Sequence, residues 1–336
     1  MAAMPEADLV MQGGGVKGIA LIGAVEVLEE HGYTFHRVAG TSAGAIAASL
    51  VAAGIPAQQM VKILKEADYE RFQDGSWWDN TLIGKVVGLV THNGIYRGNY
   101  LRSWLSEQLT TYGTYGKTGT FADLAYQDPD PEHHPLPMER QFRLIVATSD
   151  ISSGQLRYLP WHYPAFGKDP SGELVADAVR TSMSIPFFYR PVRWTTKDGQ
   201  PTWFVDGGML SNFPIDVFDA PPGVKPRWPT FGIMLGSKPD ANLGVTNPVK
   251  GTLSFGFALL RTMTGFYDRM HIGSDDATDR TIFIDTGKIR TTQFDLSPTD
   301  RDMLYQNGRT AAENFLNGVD GRPGWDFQAY IDKNRS

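Results

Sequence analysis

The stretch Gly40-Thr41-Ser42-Ala43-Gly44 carries the pattern G-x-S-x-G, which marks a sharp strand-to-helix turn that exposes a serine hydroxyl. Its context fits. Phe35 to Ala39 before it can form a short strand, and Ala43 to Ala53 after it are small, apolar and helix-forming. A sharp elbow brings backbone against backbone, and flanking glycines, which lack a Cβ, permit that approach. Gly, Ala and Ser are common residues, so the five-residue match alone is equally a chance arrangement. The segments around it decide between the two.

Upstream, Leu9 to Gln12 reads as an apolar strand that starts near Ala7. It runs into Gly13-Gly14-Gly15-Val16-Lys17-Gly18 and then an amphipathic helix, Ile19 to His31, stopped at Gly32. Consecutive glycines let backbone N–H groups converge on one point, and the helix N-terminus adds partial positive charge. Gly13, Gly15 and Gly18 also satisfy the dinucleotide pattern G-x-G-x-x-G. That pattern needs an acidic residue at the end of the second strand to hold a ribose. Here that strand ends in Val38-Ala39-Gly40 and enters the serine elbow, so a nucleotide-binding oxidoreductase is the weaker reading. A phosphate P-loop would need Lys-Ser or Lys-Thr after the last glycine, and neither is present.

The order strand, helix, strand, helix points to an α/β layered fold with mostly parallel strands. Further along, helices are expected over Pro56 to Asp68, Tyr100 to Leu109 and Glu173 to Ser184. Strands are expected over Phe142 to Thr148, Gln155 to Leu159, Val192 to Thr196, Thr202 to Val205, Thr230 to Leu235 and Thr281 to Ile284. Asp198-Gly199 marks a hairpin turn. Tyr112 to Gln141 is irregular. Ser297-Pro298 opens a final helix that ends near Gly318. No internal repeat or clean linker appears, so residues 7–220 and 221–336 read as parts of the same domain.

Composition excludes several classes. Of 336 residues, 41% are hydrophobic, enough for a sizeable core. The formal charge of −6 argues against a nucleic-acid surface. There is no cysteine, which removes disulfides, thiol catalysis and cysteine-zinc sites. The N-terminal residues lack the pattern of a signal peptide, and no apolar run reaches membrane-spanning length. A cytoplasmic protein is the expectation.

A serine nucleophile needs a base, donors for the oxyanion and a pocket for the acyl group. The glycine loop is the donor source. In the chain order Ser, Asp, His, a triad would take Asp206 and then His271, the only histidine after it. Asp206 ends a predicted strand and is followed by Gly207-Gly208, which places it toward the C-terminal edge of an open sheet. His271 ends a long apolar stretch beside Met270 and Ile272, His31 and His36 flank the far end of the second strand, and His133 and His134 lie in a proline-rich loop. Asp206 acting directly is therefore the better base. The bland reading of Asp206 is an ordinary turn aspartate in an Asp-Gly pair.

Gly13-Gly14-Gly15-Val16-Lys17-Gly18, Gly40-Thr41-Ser42-Ala43-Gly44 and Asp206-Gly207-Gly208 follow one another at spacings that resemble the patatin-like phospholipase family. Ala178 to Pro186 is similar to that family's helix before its last motif. The resemblance covers about Asp8 to Pro214. It implies a three-layer α/β patatin-like fold with a mostly parallel central sheet flanked by helices. It implies Ser42 as nucleophile and Asp206 as general base in a Ser–Asp dyad without a catalytic histidine. Gly13, Gly14 and Gly15 with the Ala43 N–H would form the oxyanion hole, and Lys17 would meet a lipid phosphate or place the loop. The substrate would be a phospholipid or other acyl lipid, with peripheral membrane contact, and neither metal nor organic cofactor is expected.

Two apolar stretches bear on lipid handling. Gly251 to Ile272 spaces Leu259, Leu260, Met263, Phe266, Tyr267 and Met270 as one helical face, for a core or an acyl chain. Trp77 to Val90 is a candidate lid, since Trp favours membrane interfaces. The rival functions are a general carboxylesterase or thioesterase, and a non-catalytic regulatory protein on a hydrolase fold.

Overall fold

The computed structural model describes residues 4–75, 88–89, 91–129, 136–137, 140–221, 224–236, 258, 262, 274–291, 293–319 and 321–335. The candidate lid, apart from Gly88 and Leu89, lies outside the described residues. So do His133, His134 and His271, and the Gly251–Ile272 stretch apart from Ala258 and Thr262.

In chain order the first half runs β1 (Glu6–Met11), α1 (Gly18–Glu30), β2 (Thr34–Thr41), α2 (Ala43–Ala52), α3 (Ala57–Glu66), β3 (Gly94–Tyr96), α4 (Asn99–Tyr112), β4 (Leu144–Asp150) and β5 (Gln155–Leu159). The second half runs α5 (Val175–Ser182), β6 (Phe187–Tyr189), β7 (Val192–Thr195), β8 (Pro201–Asp206), β9 (Thr230–Leu235), α6 (Asp275–Asp279), β10 (Thr281–Ile284), α7 (Pro298–Asn317), β11 (Gly318–Val319), β12 (Arg322–Pro323) and α8 (Phe327–Asn334).

The central sheet has the order β10-β9-β1-β2-β4-β8-β7, with β5 also on β4. The run from β10 through β4 is parallel, while β5, β8 and β7 enter antiparallel. Both faces are covered, as a parallel sheet requires. Side chains alternate between them: Leu9 and Met11 join the larger core under the helices, while Val10, Ala39 and Ile145 join a smaller one with Phe213, Ile215 and Phe218. This is a three-layer α/β fold.

The register of β4 positions the site. One of its edges carries β5, from the Val146↔Leu159 pair to Asp150↔Gln155. Its other edge carries β2 as far as the Ala147↔Thr41 pair and β8 from the Thr148↔Asp206 pair onward. Strands β2 and β8 therefore meet head to head on one edge, and the residue after Thr41 faces Asp206. The expectation that Asp206 lies at the C-terminal edge holds for a different reason from the parallel-sheet rule: β8 runs antiparallel and descends onto the spot that β2 leaves.

Ser297 opens α7 with a capping box to Asp300 and Pro298 in the first turn. It is not the final helix. The chain turns through β11 and β12 and continues into α8, capped by Asp326, whose side chain accepts from the Ala329 N–H. Two short contacts explain why so brief a helix is held: Tyr330 Oη donates to Asp276 at 2.6 Å, and Arg335 donates to Asp219 at 3.0 Å.

Candidate active site

Ser42 sits between β2 and α2 at φ 54°, ψ −125°, a conformation that costs a non-glycine residue roughly 1–3 kcal/mol. The elbow is compressed around it. A Cβ on Gly40 would stand 2.3 Å from the Gly44 carbonyl oxygen, and one on Gly44 would stand 2.2 Å from that of Met11. Both obstacles are backbone, so neither position accepts a side chain without moving the strand or the helix. The Ser42 N–H donates to Ser182 Oγ at 2.8 Å, and Ser182 Oγ donates in turn to the Ala147 carbonyl at 2.6 Å. Ser182, at the end of α5, thus ties the strained residue to the neighbouring strand.

Ser42 Oγ donates to Asp206 Oδ2 across 2.7 Å and lies 3.3 Å from Met183 Sδ. Asp206 is 8% exposed. Its other carboxylate oxygen accepts the Gly208 N–H at 2.8 Å, and its own N–H donates to the Ser184 carbonyl. Burial pushes the Asp206 carboxyl up to about 6, against the smaller opposing pull of the Ser42 and Gly208 hydrogen bonds. No cation pairs with it among the described residues. The described histidines, His31, His36, His92 and His162, bond elsewhere.

The glycine loop lies against the elbow: a Cβ on Gly13 would come 3.0 Å from Ser42 Cβ. Its N–H groups are not equivalent. The Gly13 N–H donates to the Asn212 carbonyl at 3.1 Å and the Val16 N–H to the Thr291 carbonyl at 3.1 Å. The Gly14, Gly15 and Ala43 N–H groups have no acceptor among the described residues. The Gly13 donor is thus engaged in holding the loop. Asn212 Nδ2 returns a bond to the Gly13 carbonyl at 3.0 Å, so the loop is fastened on both sides to the segment that follows Asp206.

Lys17 Nζ donates to Thr286 Oγ1 at 2.9 Å, and burial lowers its pKa. No carboxylate pairs with it among the described residues. Beside Ser42 lies a narrow apolar cleft whose lining includes Gly15, Ala43, Met183, Leu64, Phe72 and Trp104.

Residues 9–219 match the Patatin-like phospholipase family. The chain belongs to that family. It is 34% identical over 314 residues to the uncharacterized protein YqhO of Bacillus subtilis (strain 168), covering 92% of this chain and 97% of that one. The uncharacterized protein R571 of Acanthamoeba polyphaga mimivirus is 23% identical over 309 residues, 90% of each chain. Among solved structures, VipD from Legionella pneumophila superposes with a TM-score of 0.49 at 18% identity, over 92% of this chain and 66% of that one. ExoU from the type III secretion system of Pseudomonas aeruginosa superposes with a TM-score of 0.47 at 17% identity, over 92% of this chain and 52% of that one. The chain thus spans just under two thirds of VipD and about half of ExoU. The family match stops at residue 219, while Thr286, Thr291 and β9–β10 lie beyond it.

Sequence reasoning did not assign Ser182, Met183, Asn212, Thr286 or Thr291 to the site. Ser182 and Met183 fall in the Ala178–Pro186 segment, which carried a family signal but no chemistry. Asn212 lies four residues past Gly208 with no motif of its own. Nothing in the sequence ties Thr286 or Thr291 to a loop some 270 residues away. Among the described residues no helix is long and apolar enough to cross a membrane.

Proposed function

We propose that the protein is a serine lipid acyl hydrolase that cleaves ester bonds of phospholipids or related glycerolipids through Ser42 and Asp206. The observation that carries this reading is the 2.7 Å bond from Ser42 Oγ to a buried carboxylate that no cation among the described residues neutralises. As Ser42 Oγ attacks the ester carbonyl carbon, its proton passes to Asp206 Oδ2. The developing oxyanion takes the free N–H groups of Gly14, Gly15 and Ala43, and each such donor is worth about 2.7–4 kcal/mol of barrier. Collapse of the tetrahedral adduct breaks the ester C–O bond, and Asp206 returns the proton to the leaving alcohol. Water then attacks acyl-Ser42 with Asp206 again as base, releasing the fatty acid and restoring the hydroxyl. A carboxyl lifted to about 6 is a better proton acceptor near neutrality than an ordinary aspartate.

The lipid assignment draws on the family and on the apolar cleft that starts at Ala43 and Met183. Lys17, whose charge no described carboxylate offsets, is assigned to the phosphate of the head group. A substrate of this kind sits in a bilayer, so the reaction proceeds at a membrane surface that the protein meets peripherally.

The test is incubation with a mixed lipid extract and mass analysis of the products. Free fatty acid and the matching deacylated lipid should appear with the wild type and not with Ser42→Ala. Hydrolysis of short nitrophenyl esters with no product from lipid vesicles would instead identify a general carboxylesterase.

A further inference from the structure

The cleft beside Ser42 is not closed by the family-matched residues alone. Among its described lining residues Phe294 is the one beyond residue 219. It comes from the loop between β10 and α7, is 6% exposed, and stacks on Phe188 with ring centroids 5.1 Å apart and planes 5° from parallel. Phe188 lies two residues after Pro186, so this stack joins the C-terminal loop to the segment that carries Ser182 and Met183.

The loop is also fastened to the glycine loop. The Thr291 carbonyl accepts the Val16 N–H at 3.1 Å, and Thr286 Oγ1 accepts from Lys17. Gly15, at φ +58°, approaches Thr291 so closely that a Cβ would stand 2.0 Å from its carbonyl oxygen. A ring carried on a segment pinned at these points is a fixed wall of the cleft. The other large side chains lining the cleft, such as Leu64, Phe72 and Trp104, belong to the family-matched region.

We propose that Phe294 narrows the cleft and so sets which acyl chains it accepts, its ring filling space that a longer chain would need. The inference rests on the acyl-hydrolase reading and deepens it. Because apolar pockets discriminate by the space each methylene finds, with one methylene worth about tenfold or more, the effect is directional. Removing the ring favours long chains and enlarging it favours short ones.

The experiment measures kcat/KM on a nitrophenyl ester series from butyrate to palmitate for the wild type, Phe294→Ala, Phe294→Leu and Phe294→Trp. Each variant is first checked for a cooperative thermal melt. The ratio of long-chain to short-chain kcat/KM should rise by about tenfold in Phe294→Ala, rise less in Phe294→Leu, and fall below the wild-type value in Phe294→Trp. Phe294→Leu keeps most of the apolar volume and tests the claim even if Phe294→Ala does not fold. Folded variants in which every ester changes by the same factor would overturn the inference while leaving the hydrolase reading intact. A wild type that cleaves none of the esters and yields no fatty acid from lipid would remove that reading and this inference with it.

Discussion

Asp8, near the start of β1, and Asp206, at the end of β8, are both buried, at 1% and 8% exposure, and their surroundings are opposite in kind. Asp8 accepts from the Arg37 N–H at 3.0 Å and from Arg37 Nε at 3.1 Å, with a further ion pair from the same guanidinium, which also stacks on Phe218. Asp206 accepts one serine hydroxyl and one glycine N–H. Asp8 is buried against a guanidinium that reaches both of its oxygens, whereas Asp206 is buried without a cation among the described residues, and that burial raises its proton affinity. On the proposed mechanism, one end of the sheet serves stability and the other proton transfer.

That contrast can be broken most forcefully through turnover. Asp206→Asn should lower kcat on lipid or ester by about 10⁴-fold or more, and Ser42→Ala by at least as much, with both variants still melting cooperatively. At the opposite end, Asp8→Ala leaves the partly buried Arg37 guanidinium without its carboxylate. It should cost about 3–5 kcal/mol in denaturant unfolding while leaving kcat per folded molecule unchanged. Activity lost from folded Asp8→Ala would abolish the division of labour between the two ends.

The next effect in size is pH-linked. The folded Asp206 carboxyl, raised from 3.8 to about 6, binds its proton more tightly than the unfolded chain does. Its contribution to stability is therefore fully present below about pH 3.8 and is lost as pH rises through about 6. Roughly two pH units at about 1.4 kcal/mol each give about 3 kcal/mol. The unfolding free energy of Asp206→Asn should rise relative to wild type across that window, as chemical denaturation at pH 4 and pH 7 would show. Over the same window kcat/KM of the wild type should increase, since only the ionised carboxylate accepts the serine proton. The smallest effect concerns backbone strain. Ser42→Gly should be more stable than Ser42→Ala by about 1–3 kcal/mol, because glycine tolerates positive φ where alanine does not. Equal melting temperatures for the two would mean that the elbow stores no strain.

What the sequence revealed and what it hid follow from the range of the interactions. The elbow, the glycine loop and the strand before each were legible because each is a local pattern with a local steric reason. The α/β class followed from their order. The meeting of β2 and β8 was not legible, since it depends on β4 exchanging one neighbour for another between Ala147 and Thr148. The engagement of the Gly13 donor was hidden for the same reason, because its acceptor is the Asn212 carbonyl. Helix α8 escaped notice because it is only eight residues long and is held by Asp276 and Asp219 from elsewhere in the chain. The loop that brings Phe294 to the cleft has no motif at all, and only packing against Phe188 reveals it.

The pairing of Ser42 with Asp206 as a reactive unit is tested most directly by the rate at which a fluorophosphonate labels the protein as a function of pH, with the modified residue located by mass spectrometry. The wild type should label at Ser42 with a rate that climbs through about pH 6, and Asp206→Asn should label negligibly at every pH. Labelling of Ser42 at an undiminished rate in Asp206→Asn, or no labelling of Ser42 in the folded wild type, would contradict the account.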